Sequence, residues 1–361
     1  MQLRLIQASR GVAALLVIIH HISNATKDYF KFELLNDIFS VGWSGVDFFF
    51  VLSGFIMIFI HYNDLRYKSN VDYFFVKRFV RIYPIYWVLA SISLVFYLFS
   101  GKTEGWGFIY ILKSYLLIYQ DQQPFLAVAW SLTYEVFFYL VFGIGIFLGL
   151  KTMKIVLPLW FIAILAINIM HIGNLPQLIE FCFNGYIIDF LLGCATGYIF
   201  HFGKKLTPYR SYVLFSGLLL FIIMFFVSLT TSWGSRLALE TRLMYGIACS
   251  FIILGAALID ATGNFKTPRL FLLLGDSSYI LYLVHPLVLA TIYKISFNKT
   301  VFGYLQTFNL GLLSIVIALV AFVASIGIGI GLHLTVETKL LNLLNPFLPS
   351  RKKNISKLSL A

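Results

Sequence analysis

The chain has 361 residues, 60% of them hydrophobic and only 12% charged, with a net charge of +12. Soluble domains are about 45–50% apolar and about 25% charged, so this composition excludes a soluble globular protein and specifies a polytopic membrane protein. No basic run sits beside a soluble domain, which argues against nucleic-acid binding and for positive-inside topology with an anionic ligand.

The first apolar segment, Arg10 to Thr26, reads RGVAALLVIIHHISNAT. Arg10 and His21 share one helix face, separated by about 16 Å along the axis at roughly 1.5 Å per residue. His20 points about 100° away and is expected to be structural. A cation and an imidazole facing the same way in a membrane helix need a polar interior to face. Arg4 and Arg10 before an apolar run loosely imitate a cleavable signal, but the histidines interrupt that run and more spans follow, so the segment is expected to remain.

Further runs of spanning length fall near 41–61, 82–100, 130–150, 155–172, 182–202, 211–231, 243–260, 271–293 and 308–335. The expected fold is therefore all-α, with about ten transmembrane helices. The stretch 106–119 is shorter and carries Lys113, as an interfacial or re-entrant helix would. With the N-terminus inside, most of the 27 Lys and Arg fall in cytoplasmic loops, so both termini are expected in the cytoplasm. Residues 1–345 read as one transmembrane domain and 346–361 as a short basic cytoplasmic tail.

Intramembrane ionisable groups mark functional sites, because a charge in hydrocarbon costs about 2.5–3.5 kcal/mol on insertion scales. This topology puts His21, Asp47, Glu135 and His285 in the outer half and Asp189 inside the sixth span. Several such groups at similar depth predict a shared polar cavity suited to general-base chemistry, with a carboxylate orienting an imidazole. No ligand spacing among His20, His21 and Asp47 requires a metal. The stretch 71–87 supplies a second feature. Lys77 and Arg81 share a helix face with Arg78 beside it, and Tyr83-Pro84 is expected to end or kink that helix where the third span begins. Guanidinium forks suit phosphate, and a basic inner mouth beneath an acid–base cluster fits a ligand with a phosphorylated head and a long thin arm. The small residues around Asp47 and at Ser53-Gly54 either pack backbones closely or leave room for that arm.

Five segments in order resemble the acyltransferase-3 family of integral-membrane acyltransferases, which includes glycan O-acetyltransferases: RGVAALLVIIHH, GVDFFFVLSGF, KRFVRIYPIYW, WSLTYEVFFYL and SSYILYLVHPLV. A weaker echo surrounds Thr338. The resemblance implies about ten helices, an acyl-CoA donor taken from the cytoplasm, and transfer of an acyl group, usually acetyl, to a hydroxyl of an envelope glycan or glycolipid outside. It matches His21 to the essential histidine, Arg10 to its paired arginine, Glu135 to the acid of the WSLxxE motif, and Arg78 and Arg81 to the arginines before Tyr83-Pro84. The secreted esterase-like domain of some members is missing here, so direct transfer within the bundle is the expectation. The expected site has His21 as base, oriented by Glu135 or Asp47, with Arg10, Arg78 and Arg81 on the donor phosphates and His285 on the acceptor side. An acyl-His intermediate is a variant of this scheme. No bound cofactor is expected beyond acyl-CoA as a substrate, and the location is a bacterial cytoplasmic membrane. The rival reading is a transporter or flippase for an envelope precursor, in which the same His, Asp and Glu form a proton relay; a structural subunit of a glycan-assembly complex is a third.

Overall fold

The computed structural model describes residues 3–170, 175–230, 239–263, 265–297 and 309–351. Most of the 346–361 tail therefore lies outside the described residues. Among the described residues ten helical segments are long and apolar enough to cross a membrane, and they correspond one for one to the ten runs expected from the sequence. The chain is thus a multi-pass membrane protein, with no strand among its described residues. Among the described residues its α-helices are α1 (Arg4–Phe30), α2 (Gly45–Tyr67), α3 (Val71–Phe99), α4 (Phe108–Leu116), α5 (Trp130–Leu148), α6 (Leu150–Ile169), α7 (Gln177–Cys182), α8 (Tyr186–Phe202), α9 (Arg210–Thr230), α10 (Leu239–Thr262), α11 (Arg269–Asp276), α12 (Ser278–Ser296), α13 (Leu310–Leu332) and α14 (Thr338–Leu344). The short α4 has nine residues and cannot span.

Two departures from expectation have physical causes. Pro84 lies inside an unbroken α3 of 29 residues. In a membrane bundle, neighbouring helices and side chains compensate the backbone groups that proline frees, so the helix runs through. The ninth apolar run is divided at Ser277, where Gly275 lies against the Gln7 backbone so closely that a Cβ there would overlap the Gln7 carbonyl.

The core is an aromatic-rich cluster shared by α2, α3, α5, α8 and α12, including Phe50, Tyr86, Phe138, Phe142 and Phe190. The large apolar side chains of α9 and α13, such as Ile222, Phe226, Leu319 and Val323, are exposed. They form a lipid-facing exterior. At the centre α2 and α8 run parallel and in close contact. Gly54 faces the Phe190 carbonyl, and Gly193 faces the Val51 carbonyl; a Cβ at either position would overlap the opposing backbone. Small residues permit this approach, as in membrane helix pairs generally. α1 runs antiparallel to α2 and parallel to α12, meeting it through Thr26 and Tyr293 (2.6 Å). The start of α1 is tied to α10, where Asp260 accepts from the Leu5 amide at 3.0 Å and the Ile6 amide at 3.3 Å. These contacts offset orphan donors of the first helical turn.

Candidate functional site

The starts of α1 and α3 and the end of α2 meet at one end of the bundle, which is here called the basic end. A cavity of about 480 Å³ opens there and runs between α1, α2, α3, α5 and α12. One stripe of α2 forms its wall: Phe49, Ser53, Ile56 and Ile60, spaced three and four residues apart as one helix face requires. Arg10, Lys77, Arg78 and Arg81 all line it, together with Glu135. Arg10, Arg78 and Arg81, expected on donor phosphates, and Glu135, expected in acid–base work, therefore share one cavity, which His21, Asp47 and His285 do not line.

Each guanidinium is held by its surroundings. Arg78 lies over the ring of Tyr139 at 5.3 Å, with its Nη2 3.4 Å from His61 Nε2. Arginine only donates, so His61 Nε2 accepts and its Nδ1–H donates to Asp64 at 2.8 Å. Asp64 also accepts from Asn70 and from Arg351, both at 2.8 Å. Arg81 sits over Tyr279 and 3.9 Å from Glu337. Glu337 also pairs with His333 at 2.7 Å within a π-helical turn, His333–Glu337, a local distortion often found at functional sites. Arg10 donates to Gln7 at 3.2 Å, and Gln7 in turn donates to Asp276.

The two histidines expected near the chemistry are neighbours. The His21 and His285 ring centroids lie 4.9 Å apart. The Nδ1 of His21 is 2.9 Å from the Val17 carbonyl and that of His285 is 3.1 Å from the Leu281 carbonyl. A carbonyl only accepts, so each Nδ1 carries the proton and each Nε2 is the basic nitrogen. His285 is fully buried, and its Nε2 meets no hydrogen-bond partner among the described residues. A buried acceptor in that condition is the kind of atom that a ligand completes. His20 accepts from Asn24 at 3.1 Å. The cavity approaches this pair through Tyr282, whose ring lines it and lies 6.0 Å from that of His285. Tyr282 is itself fixed by Ser131 at 2.7 Å.

The carboxylates are placed differently from expectation. Glu135 accepts from Ser53 at 3.0 Å and makes a short bond with Tyr139. It lies on the arginine side of the cavity because residues 125–129 are largely buried, which sinks the start of α5 into the bundle. Asp47, expected to orient His21, instead pairs with Arg242. Arg242, which the charge pattern puts in an outer loop, is 2% exposed. It also donates to Tyr186 at 3.2 Å and lies over the rings of Trp43 and Tyr186. Asp189 adjoins the same cluster. A fully buried carboxylate needs a cation more than an imidazole does: Arg242 meets one oxygen of Asp47, whereas the other Asp47 oxygen and both of Asp189 meet no hydrogen-bond partner among the described residues. His21 is oriented by the Val17 carbonyl of its own helix instead. His61, Asp64, Glu337 and Arg242 were not singled out in the sequence. His61 is the last residue of the run 41–61, and Asp64, Arg242 and Glu337 lie just beyond the ends of runs, so their place in the sequence gives little signal.

Comparison with known proteins adds a second line of argument. The model of the acyltransferase-3 family, described as an acyltransferase domain, matches residues 5–334. The chain is 25% identical to the exopolysaccharide production protein ExoZ of Rhizobium meliloti over 275 residues, which is 71% of this chain and 79% of that protein. It is 25% identical over 193 residues to the peptidoglycan O-acetyltransferase OatA of Listeria monocytogenes, 46% of this chain and 31% of that one. It is 26% identical over 232 residues to the putative peptidoglycan O-acetyltransferase YrhL of Bacillus subtilis, 56% of this chain and 34% of that one. The matched part is thus about a third of each of these two peptidoglycan relatives. No solved structure matches.

Proposed function

The chain belongs to the acyltransferase-3 family, and from that premise we propose that it moves an acyl group, acetyl foremost, from acyl-CoA to a hydroxyl of an envelope glycan. The basic end faces the cytoplasm, and the acceptor reaches the histidines from the opposite side. The observation that carries this reading is the cavity that starts among Arg10, Lys77, Arg78 and Arg81 and ends at Tyr282, beside His285 and His21. Its entrance suits phosphates. Its apolar α2 wall suits a thin pantetheine arm. The names of the relatives, exopolysaccharide production and peptidoglycan O-acetylation, support a glycan acceptor.

The step balances with His21 as base. Its Nε2 takes the proton from the acceptor hydroxyl as that oxygen attacks the thioester carbonyl. The C–S bond breaks, the ester forms, and the leaving sulfur receives the proton and departs as CoA thiol. Holding base and nucleophile in reach of the thioester is the main work of such a site. His285 keeps the reacting hydroxyl beside His21. Mass spectrometry of the surface glycan from cells carrying wild type or His21→Ala tests the reading. Ester groups disappear in the variant if it is right. Unchanged esterification contradicts it, and loss of surface glycan without any change in CoA thioester consumption points to a transporter.

A further inference from the structure

A second cavity, about 580 Å³ in volume, opens at the end of the bundle opposite the arginines. This volume falls within the range of small-ligand pockets, about 300–1,000 Å³. We propose that it is a saccharide subsite, lateral to the reaction centre, that holds a neighbouring unit of a neutral glycan chain; the proposal rests on the reading of the protein as a glycan acyltransferase.

The wall is aromatic. Tyr119 and Tyr134 both pack on Phe181, with ring centroids 4.7 and 4.3 Å apart, and Tyr134 lies 5.5 Å from Tyr186. Tyr119, Tyr134 and Tyr186 all line the space. Tyrosine offers an apolar face for the C–H surface of a pyranose and a hydroxyl at its rim. Around these rings stand Asn168, Asn184 and Glu180. Amides both donate and accept, and a carboxylate accepts twice, which is the inventory that adjacent sugar hydroxyls require.

The charge contrast with the first cavity decides the ligand class. Four cationic side chains line the cavity at the basic end. Among the described residues the only cation lining this one is Arg242, which is committed to Asp47, and Glu180 adds a negative charge. A phosphorylated head is disfavoured here, whereas a neutral polyhydroxylated ligand is matched. Arg242 acts as a strut. It bonds to Tyr186 and stacks on it, fixing the floor of the pocket. The two cavities are divided by rings: Phe50 lines the first, Tyr186 lines the second, and their centroids lie 5.5 Å apart. A glycan held outside that wall lies beside the inner end of the donor cavity.

The test is calorimetric titration of the purified full chain with cellotetraose and with chitotetraose, repeated for Tyr119→Ala, Tyr119→Phe and Glu180→Gln. Glu180 is exposed, so that variant does not endanger folding. Saturable binding of at least one tetrasaccharide is expected. It weakens tenfold or more in Tyr119→Ala and Glu180→Gln and survives within about threefold in Tyr119→Phe, which keeps the ring. Absence of binding by both sugars, or equal binding by wild type and both weakening variants, overturns the proposal. Acetyl-CoA consumption by the wild type is measured in parallel. Sugar binding that responds to these variants without thioester consumption leaves the subsite standing and removes the acyltransferase reading.

Discussion

Arg242→Met is the most informative structural perturbation. Arg242 is 2% exposed and Asp47 is 0% exposed, and Asp189, also 0% exposed, adjoins them. Removing the guanidinium strands the Asp47 carboxylate in the bundle. Breaking a buried pair on one side costs about 3–5 kcal/mol, because the surviving charge keeps its desolvation penalty. The lost stacking on Trp43 and Tyr186 adds about 0.5–2 kcal/mol. At about 2 °C per kcal/mol, the low end for larger chains, the unfolding midpoint of the detergent-purified protein falls by about 7–14 °C. Neutralising the partner should return part of that loss, so Arg242→Met combined with Asp47→Asn is expected to be more stable than Arg242→Met alone. The assay is thermal unfolding of the two variants against wild type, followed by intrinsic fluorescence. An Arg242→Met midpoint within 2 °C of wild type, or a double variant less stable than the single one, refutes the reasoning. It would also reopen Asp47 as the group that orients His21.

Other expectations follow from the cavity and the helix contacts. Arg78→Ala removes a charged donor worth about 1.5–3 kcal/mol, so the KM for acetyl-CoA should rise about 10- to 150-fold in thioester-consumption kinetics. His61→Phe removes the group that holds Arg78 and should raise the same KM by less than Arg78→Ala does; an equal or larger rise contradicts the chain Asp64–His61–Arg78. Gly193→Ala drives a Cβ into the Val51 carbonyl. This overpacking is expected to cost about 1–3 kcal/mol, read as a lower unfolding midpoint, whereas Gly327→Ala, with open space around it, should be neutral.

Much of the architecture was legible because a bilayer imposes one simple rule: each crossing needs about 20 apolar residues in a helix. All ten spans, and the short α4, follow from that. The meeting of Arg10, Arg78 and Arg81 at one end of the bundle was also legible, since helix periodicity and alternating direction fix which groups meet at which end; the presence of Glu135 in the same cavity was not. What could not be read was pairing across the bundle. Asp47 and Arg242 are 195 positions apart, and nothing local to either shows that α2 and α10 meet there. Depth was misread for Glu135 because the count began at Trp130, whereas the buried segment before it lowers the whole helix. The continuity of α3 through Pro84 depends on neighbours that supply compensation, which a local rule for proline does not see. Glu337 sits in a π-helical turn, a register shift without a sequence signature of its own.

The central claim is that a thioester enters at the arginines and that its acyl group leaves beside His21 on the other side. Vesicles reconstituted with the protein, loaded with a glycan acceptor and supplied outside with acetyl-CoA labelled in the acetyl group, test it directly. For molecules whose basic end faces outward, the account predicts label on the enclosed glycan, loss of that label in His21→Ala, and free CoA released outside. Label that reaches the glycan equally in His21→Ala, or only when acetyl-CoA and glycan share a compartment, contradicts it.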